Sequence, residues 1–392
     1  MIALLRHIRG DKAIWMISLL LGVASVLLVY SSIVTLAYKH HEGNTAFYLI
    51  RHGLFVVLGL AIIYMVHRVK YTYFSRLGVL LFYISIPLLV LTLAMGTNLN
   101  NASRWLVIPV INQSFQTSDL AKIGLIMFLA RMLSQREMEL KDFKKGFLSL
   151  IVPVLLVCML ILPANFSTAA VIFVVAVLMM FVAGVPFLHL MSLIPAGITI
   201  ASAVFLVTLI SPDVFPRMST WQKRVERFIV QEPGQSSESD YQVEQAKIAI
   251  ATGGIVGKGP GNSQQRNFLP HPYSDFIFAI VLEEYGLIGG LVIITLYLVL
   301  FFRILRIAVR TEKLYPRLLV FGIGILIVFQ AFINMGVAVN LFPVTGQPLP
   351  LVSMGGTSTW FTCLGLGIVL SVSRGVLMED SRHNKPEDFA IA

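Results

Sequence analysis

Charge is sparse in this chain. Asp, Glu, Lys and Arg make up 13% of its 392 residues, about half the share of a typical soluble domain, and mean hydropathy is +0.82. That composition excludes an aqueous globule. Cysteine is scarcer still: Cys158 and Cys363 both lie in apolar stretches, which excludes a disulfide scaffold. His189 and His271 have no partners at ligand spacing, which argues against a zinc site. Internal repeats and low-complexity tracts are absent. The glycine-rich run TGGIVGKGPGNSQQ is not a phosphate-binding P-loop, because Lys258 is followed by Gly259 and the glycine spacing is wrong.

What the sequence does have is long apolar runs. A bilayer-spanning helix needs roughly 20 such residues, and candidates cover 13–37, 48–66, 77–95, 119–133, 276–302, 318–338 and 358–373. Residues 147–211 contain no Asp, Glu, Lys or Arg. They hold three more spans, with breaks at Pro163-Ala164-Asn165 and Gly184-Val185-Pro186. The expected fold is an all-α polytopic membrane protein with ten transmembrane helices. The net charge of +10 suggests nucleic acid until its distribution is read. Arg6, Arg9 and Lys12, then Arg68, Lys70 and Arg76, then the clusters at 131–145, 303–317 and 374–385, fall on alternate connections. The short connections of the other side carry only Lys39 and Arg104. Basic residues mark the cytoplasmic side, so both termini are expected there and no nucleic-acid partner is implied. The first run is too long for a signal-peptide core and stays as a helix. Residues 1–378 read as one membrane unit with an extracytoplasmic loop at about 212–274 between helices 7 and 8. Residues 379–392 read as a disordered cytoplasmic tail.

Polar chemistry concentrates on the outer side. In the long loop, Trp221–Val230 and Tyr241–Ala251 both show helical spacing; the first carries Arg224 and Arg227 and fits either a headgroup-facing or a solvated helix. Asp275, in FLPHPYSDFIFAI, opens the eighth hydrophobic helix. A carboxylate there serves as a helix cap, as a general base whose pKa partial desolvation raises, or as both at once. Asp119 and Lys122 lie three apart on one face of the fourth span. Ionisable groups inside spans point to function or to an internal ion pair. Glu283 and Glu284 lie about two turns into the eighth span, and Arg51 and His52 near the outer end of the second.

Several of these segments together resemble the SEDS family (shape, elongation, division and sporulation proteins). Residues 344–358, VTGQPLPLVSMGGTS, resemble the family's TGxPLPLxSxGGSS. Gly257–Gln265, Phe268-Leu269-Pro270 and Ser274–Ala279 form a second match. Arg104-Trp105 with Phe115-Gln116-Thr117-Ser118-Asp119-Leu120-Ala121-Lys122 is similar to FQPSELAK, and Tyr241, Gln242 and Gln245 form a fourth match. Gly261-Asn262-Ser263 is closer to the division members than to the elongation members, which usually read GTQ. The sequence departs from the family at His271, where Glu is usual, at Met354, where Tyr is common, and at Leu162–Ala169, which replaces an acidic QPDxGTA.

The resemblance implies a peptidoglycan glycosyltransferase of the bacterial cytoplasmic (inner) membrane that polymerises lipid II at its outer face during cell division. It places Asp275 at the family's essential aspartate. On that reading Lys122, Arg104 and Arg224 face the departing pyrophosphate, and Gln116, Ser263, Gln265 and Ser353 are hydrogen-bond partners of sugar or phosphate. Mg²⁺ or Mn²⁺ would assist the leaving group on this reading, and the sequence shows no ligand set for it. The implied partners are a class B penicillin-binding protein (a transpeptidase) and other cell-division proteins. The rival readings are a lipid II flippase, an elongation-type polymerase and a non-catalytic scaffold.

Overall fold

The computed structural model describes residues 9–33, 44–95, 97–99, 102–108, 113–195, 197–198, 202, 238–270 and 272–383. The apolar runs form helices: α1 (Lys12–Ser32), α2 (Thr45–Arg68), α3 (Tyr71–Met95), α4 (Thr117–Gln135), α5 (Ser149–Ile161), α6 (Phe166–Val182) and the short α7 (Phe187–Met191). Then come α8 (Glu238–Gly253), α9 (Ile277–Arg310), α10 (Leu314–Ala338) and α11 (Thr357–His383). The last helix runs past Met378, where the tail was expected to begin.

Among the described residues, 7 helical segments are long and apolar enough to cross a membrane: α1, α2, α3, Phe143–Ile161, α9, α10 and Thr357–Met378. The fold is therefore a polytopic helical membrane protein. α4 misses that set because Asp119, Lys122 and Arg131 interrupt it, and α6 because it is short. The expected breaks both occur: α5 ends at Ile161, α6 starts after Asn165, and Ala183–Pro186 ends α6. Asn165 caps α6 by accepting from Thr168 N at 3.2 Å, so the segment that lacks the family's carboxylate still ends in a good capping residue. The Trp221–Val230 helix, and the junction of the seventh span with the long loop, lie outside the described residues.

α10 is the central helix. It packs against α4, α6, α9 and α11 and buries residues all round its circumference, as a helix apolar on every face must. Between α3 and α4 stands a small antiparallel sheet in the order β1 (Thr97–Leu99), β2 (Ala102–Ile108), β3 (Gln113–Gln116). Trp105 pairs with Gln116, and β3 runs straight into α4. The sequence marked this stretch only as a connection, since strands this short leave little alternation to read.

α9 is two helices in one run. Gly286 sits at φ 63°, ψ −164°, outside helical geometry. Before it, residues 277–284 are all buried; after it, Leu287, Ile288, Leu291 and Val292 are exposed, the pattern of a lipid-facing helix. Residues 287–310 are long enough on their own for the roughly 20 that a span requires. Glu283 and Glu284 lie about two turns into the continuous run, as expected, and immediately before the break at Gly286.

Candidate functional site

The glycine-rich run after α8 fills the break in α9. In an unbroken helix the amides of Leu287 and Ile288 would donate to the carbonyls of Glu283 and Glu284. Here those carbonyls accept from Lys258 N (3.0 Å) and Gly259 N (2.9 Å), while Leu287 N and Ile288 N donate to the carbonyls of Gly254 (3.0 Å) and Ile255 (3.2 Å). The approach is so close that a Cβ at Gly257 would stand 2.3 Å from the Glu284 oxygen, and one at Gly286 2.3 Å from that of Ile255. These glycines thus serve a backbone splice. The Glu283 carboxylate accepts from Lys258 Nζ at 2.7 Å, from Ser263 Oγ, and from the amides of Gln264 (3.0 Å) and Gln265 (3.3 Å).

From Gln265 the chain passes through Leu269 and Tyr273 to Asp275. α9 starts after Phe276, which makes no side-chain cap bond of its own, and Asp275 stands immediately before it. Ser274 Oγ donates to Asp275 Oδ1 at 3.0 Å. The half-buried turn is held through its backbone: Asn334 Nδ2 donates to the Asp275 carbonyl (2.9 Å), Ser353 Oγ to that of Ser274 (2.6 Å), and Met354 N to that of Tyr273 (2.9 Å). The Tyr273 phenol is pushed up, first by burial and then by the charges of Tyr48 and Asp275.

Residues 344–354 form the opposite wall and are tied on every side. Asn334 Nδ2 also donates to the Gln347 carbonyl (2.8 Å), and Gln330 Nε2 to that of Pro348 (3.1 Å). Gln347 Nε2 donates to Thr168 Oγ1 (3.4 Å), Tyr297 donates to the Pro350 carbonyl, and Ser353 Oγ accepts from Leu349 N (2.8 Å). Ser25 Oγ donates to the Val352 carbonyl (2.8 Å) and lies 2.8 Å from His52 Nε2. The hydroxyl's one proton is committed to the carbonyl, so His52 must donate from Nε2.

Gln330 and Asn334 are four apart and so share one face of α10. Gln330 Oε1 also meets Lys122 Nζ at 3.4 Å, and Lys122 pairs with Asp119 at 2.6 Å. The structure thus brings Asp275, Lys122, Asp119 and Ser353 around one end of α10. Gln116 lies beside them at the start of α4, donating to Ser118 Oγ at 3.0 Å. Asp119 Oδ2 has no hydrogen-bond partner among the described residues. A narrow cleft lined by Thr92, Thr117, Ser118 and Asn165 with Leu89 and Ile161 opens alongside. Arg104 lies on β2, next to the residue opposite Gln116. Ser263 and Gln265 sit on the spliced loop, Ser263 spent on Glu283. Arg224 and His271 lie outside the described residues. Sequence reasoning missed Gln330 and Asn334, although two amides four apart in an apolar span were a visible signal. It also missed Lys258 as the partner of Glu283.

A divalent ion that keeps its waters and takes a substrate pyrophosphate needs only one or two carboxylates, and Asp275 and Asp119 are of that type. No group of three His, Cys, Asp or Glu that could hold a metal occurs among the described residues, so an all-protein cage does not fit there.

Residues 11–376 match the family described as "Cell cycle protein", FtsW/RodA/SpoVE. A probable peptidoglycan glycosyltransferase FtsW of Geobacter sp. (strain M18) is 32% identical over 376 residues, covering 94% of this chain and 98% of the relative. Its counterpart from Coxiella burnetii is 33% identical over 367 residues, covering 90% and 92%. A solved structure described as "Structural coordination of polymerization and crosslinking by a peptidoglycan synthase complex" superposes with TM-score 0.69 at 28% identity, covering 94% of this chain and 98% of that one. The rod shape-determining protein RodA of Thermus thermophilus shares the fold, with TM-score 0.64 at 24% identity over 93% and 97% of the two chains. The chain belongs to the FtsW/RodA/SpoVE family, the SEDS proteins, and within that family of multi-pass inner-membrane proteins it is FtsW-like.

Proposed function

We propose that this protein is a peptidoglycan glycosyltransferase that polymerises lipid II at the outer face of the cytoplasmic membrane during septal wall synthesis. The observation that carries the reading is the Asp275 turn. Two polar residues of one α10 face connect it to the glycine-bounded loop 344–354 and to the buried Lys122. The names of the relatives, and the synthase complex with which the fold superposes, support the same chemistry.

In the reaction an acceptor hydroxyl attacks the anomeric carbon of a lipid-linked disaccharide. The C–O bond to the pyrophosphate breaks, and the lipid diphosphate leaves with the electron pair. Asp275 takes the hydroxyl proton on a carboxylate oxygen. Lys122, with Arg104 and Arg224, meets the charge that grows on the pyrophosphate. Gln116 and Gln265 are the candidates for sugar or phosphate hydrogen bonds, while Ser263 and Ser353 contribute by holding their loops. A bound Mg²⁺ or Mn²⁺ would add positive charge at the leaving group. The proposed topology is ten spans with both termini cytoplasmic and the 212–274 loop outside, and the proposed partner is a class B penicillin-binding protein.

The test is lipid II polymerisation by the reconstituted protein with a crosslinking-dead partner. Asp275→Asn should abolish glycan ladders, a loss of at least about 100-fold, as expected for removal of a general base, with the detergent melting midpoint unchanged. Equal ladders from both proteins would exclude Asp275 as the base and place that role on another residue, whereas no ladder from either would favour a scaffold or a flippase.

A further inference from the structure

We infer that Glu283 is a positioning residue for the Asp275 turn. The inference rests on the polymerase reading above. Its basis is a closed loop. The segment from Lys258 to Phe276 leaves the short helix 277–285 at one end and returns to it at the other. At the return end it is covalently continuous with Ile277. At the departing end it is fixed by the backbone splice and by a single carboxylate, that of Glu283, which is 0% exposed. That carboxylate collects an ammonium, a hydroxyl and two amides from four different loop residues.

Four donors converging on one carboxylate is more than any neutral side chain of the same shape can satisfy. An amide offers one accepting oxygen and turns an NH₂ toward donors that need an acceptor. Within the same loop, Ser263 Oγ also accepts from Arg266 N (3.2 Å), and Arg266 Nη1 donates to the Ser31 carbonyl of α1 (2.8 Å). Glu283 therefore registers the loop against α9, and through Arg266 against α1. At the other end the Asp275 turn is held by Asn334 on its own carbonyl and by the Ser353 and Met354 contacts to its neighbours. A slip of the anchored end moves the base relative to Lys122, and a misplacement of about 1 Å costs on the order of 100-fold in rate. Glu283 touches no reacting atom. Its charge is balanced by Lys258, which is thereby withdrawn from any role at the pyrophosphate.

The experiment compares wild type with Glu283→Gln, Glu283→Asp and Lys258→Met in full-length protein reconstituted with the partner. It reads lipid II turnover at varied concentration, alongside amide hydrogen exchange. Glu283→Gln should lower turnover about 100-fold with KM changed less than about threefold. Protection should fall at Gln264 and Gln265, whose amides donate to the carboxylate, while α10 keeps its protection. Glu283→Asp, which retains the charge and both acceptors on a shorter stem, should recover part of the turnover. Turnover of Glu283→Gln within threefold of wild type would overturn the inference. So would a loss of protection spreading through α10, or no recovery by Asp, because either would make the residue a general fold determinant. A wild type that makes no glycan at all would instead overturn the polymerase reading, a failure distinguishable from the others.

Discussion

Lys122 shows how one residue serves both structure and chemistry. It is a nearly buried ammonium, paired with Asp119 and touching Gln330. Removing one member of a buried pair strands the other charge and costs about 3–5 kcal/mol, whereas replacing both members is often neutral. Lys122→Met alone should therefore lower the melting midpoint and abolish polymerisation. Asp119→Asn combined with Lys122→Met should restore the midpoint towards wild type and leave polymerisation absent. Thermal melting beside the glycan assay checks this; a double variant that polymerises would reduce the pair to a structural one. Leu351 is a second marker at this scale. It is buried, yet its φ is +66°, a conformation that costs an L residue roughly 1–2 kcal/mol. Its neighbours Pro350 and Val352 are pinned by Tyr297 and Ser25, so the surrounding bonds over-determine the strained turn, as is usual at functional loops.

At the scale of elements the break in α9 is the most consequential feature, because it lets one segment be both a buried site helix and a lipid-facing span. Gly286 makes it possible. Gly286→Ala places a Cβ 2.3 Å from a backbone oxygen at φ +63°, so the spliced loop must move. Gly184→Ala meets only the conformational penalty, since its φ is +95° but nothing lies within 4 Å. The first substitution should lower the melting midpoint and yield markedly more than the second, measured on purified protein in detergent; equal effects would exclude the splice. The sequence made much of this level legible. Apolar runs and their polar breaks located the helices, because lipid forces backbone groups to pair within a helix and makes each span long. Asp119 with Lys122, and Asp275, stood out as charges in apolar surroundings. The splice could not be read, because TGGIVGKGPG is as consistent with a solvent turn as with a strand of backbone filling another helix. The β-strands between α3 and α4 were hidden for a related reason: their pairing is set by register with one another, not by local pattern.

At the scale of the whole molecule, the site's use depends on which side of the membrane it faces. Chemistry on lipid-linked sugars destined for the wall needs Asp275 outside, and the basic connections argue for that by the positive-inside rule. The structure supplies two reporters of sidedness. Met138, in the connection between α4 and α5, is 96% exposed, and Val256, at the tip of the spliced loop, is 74% exposed. Both native cysteines are buried, so a membrane-impermeant maleimide should pass them over and single-cysteine reporters can be placed in the otherwise unaltered chain. Val256→Cys should label on intact spheroplasts. Met138→Cys should label only after permeabilisation, since it lies among Arg131, Arg136, Lys141 and Lys144. An odd number of crossings must separate the two positions if both expectations hold, which also constrains the stretch from 203 to 237. The reverse pattern would turn Asp275, Lys122 and the 344–354 loop toward the cytoplasm, and no glycan strand made there could reach the septal wall.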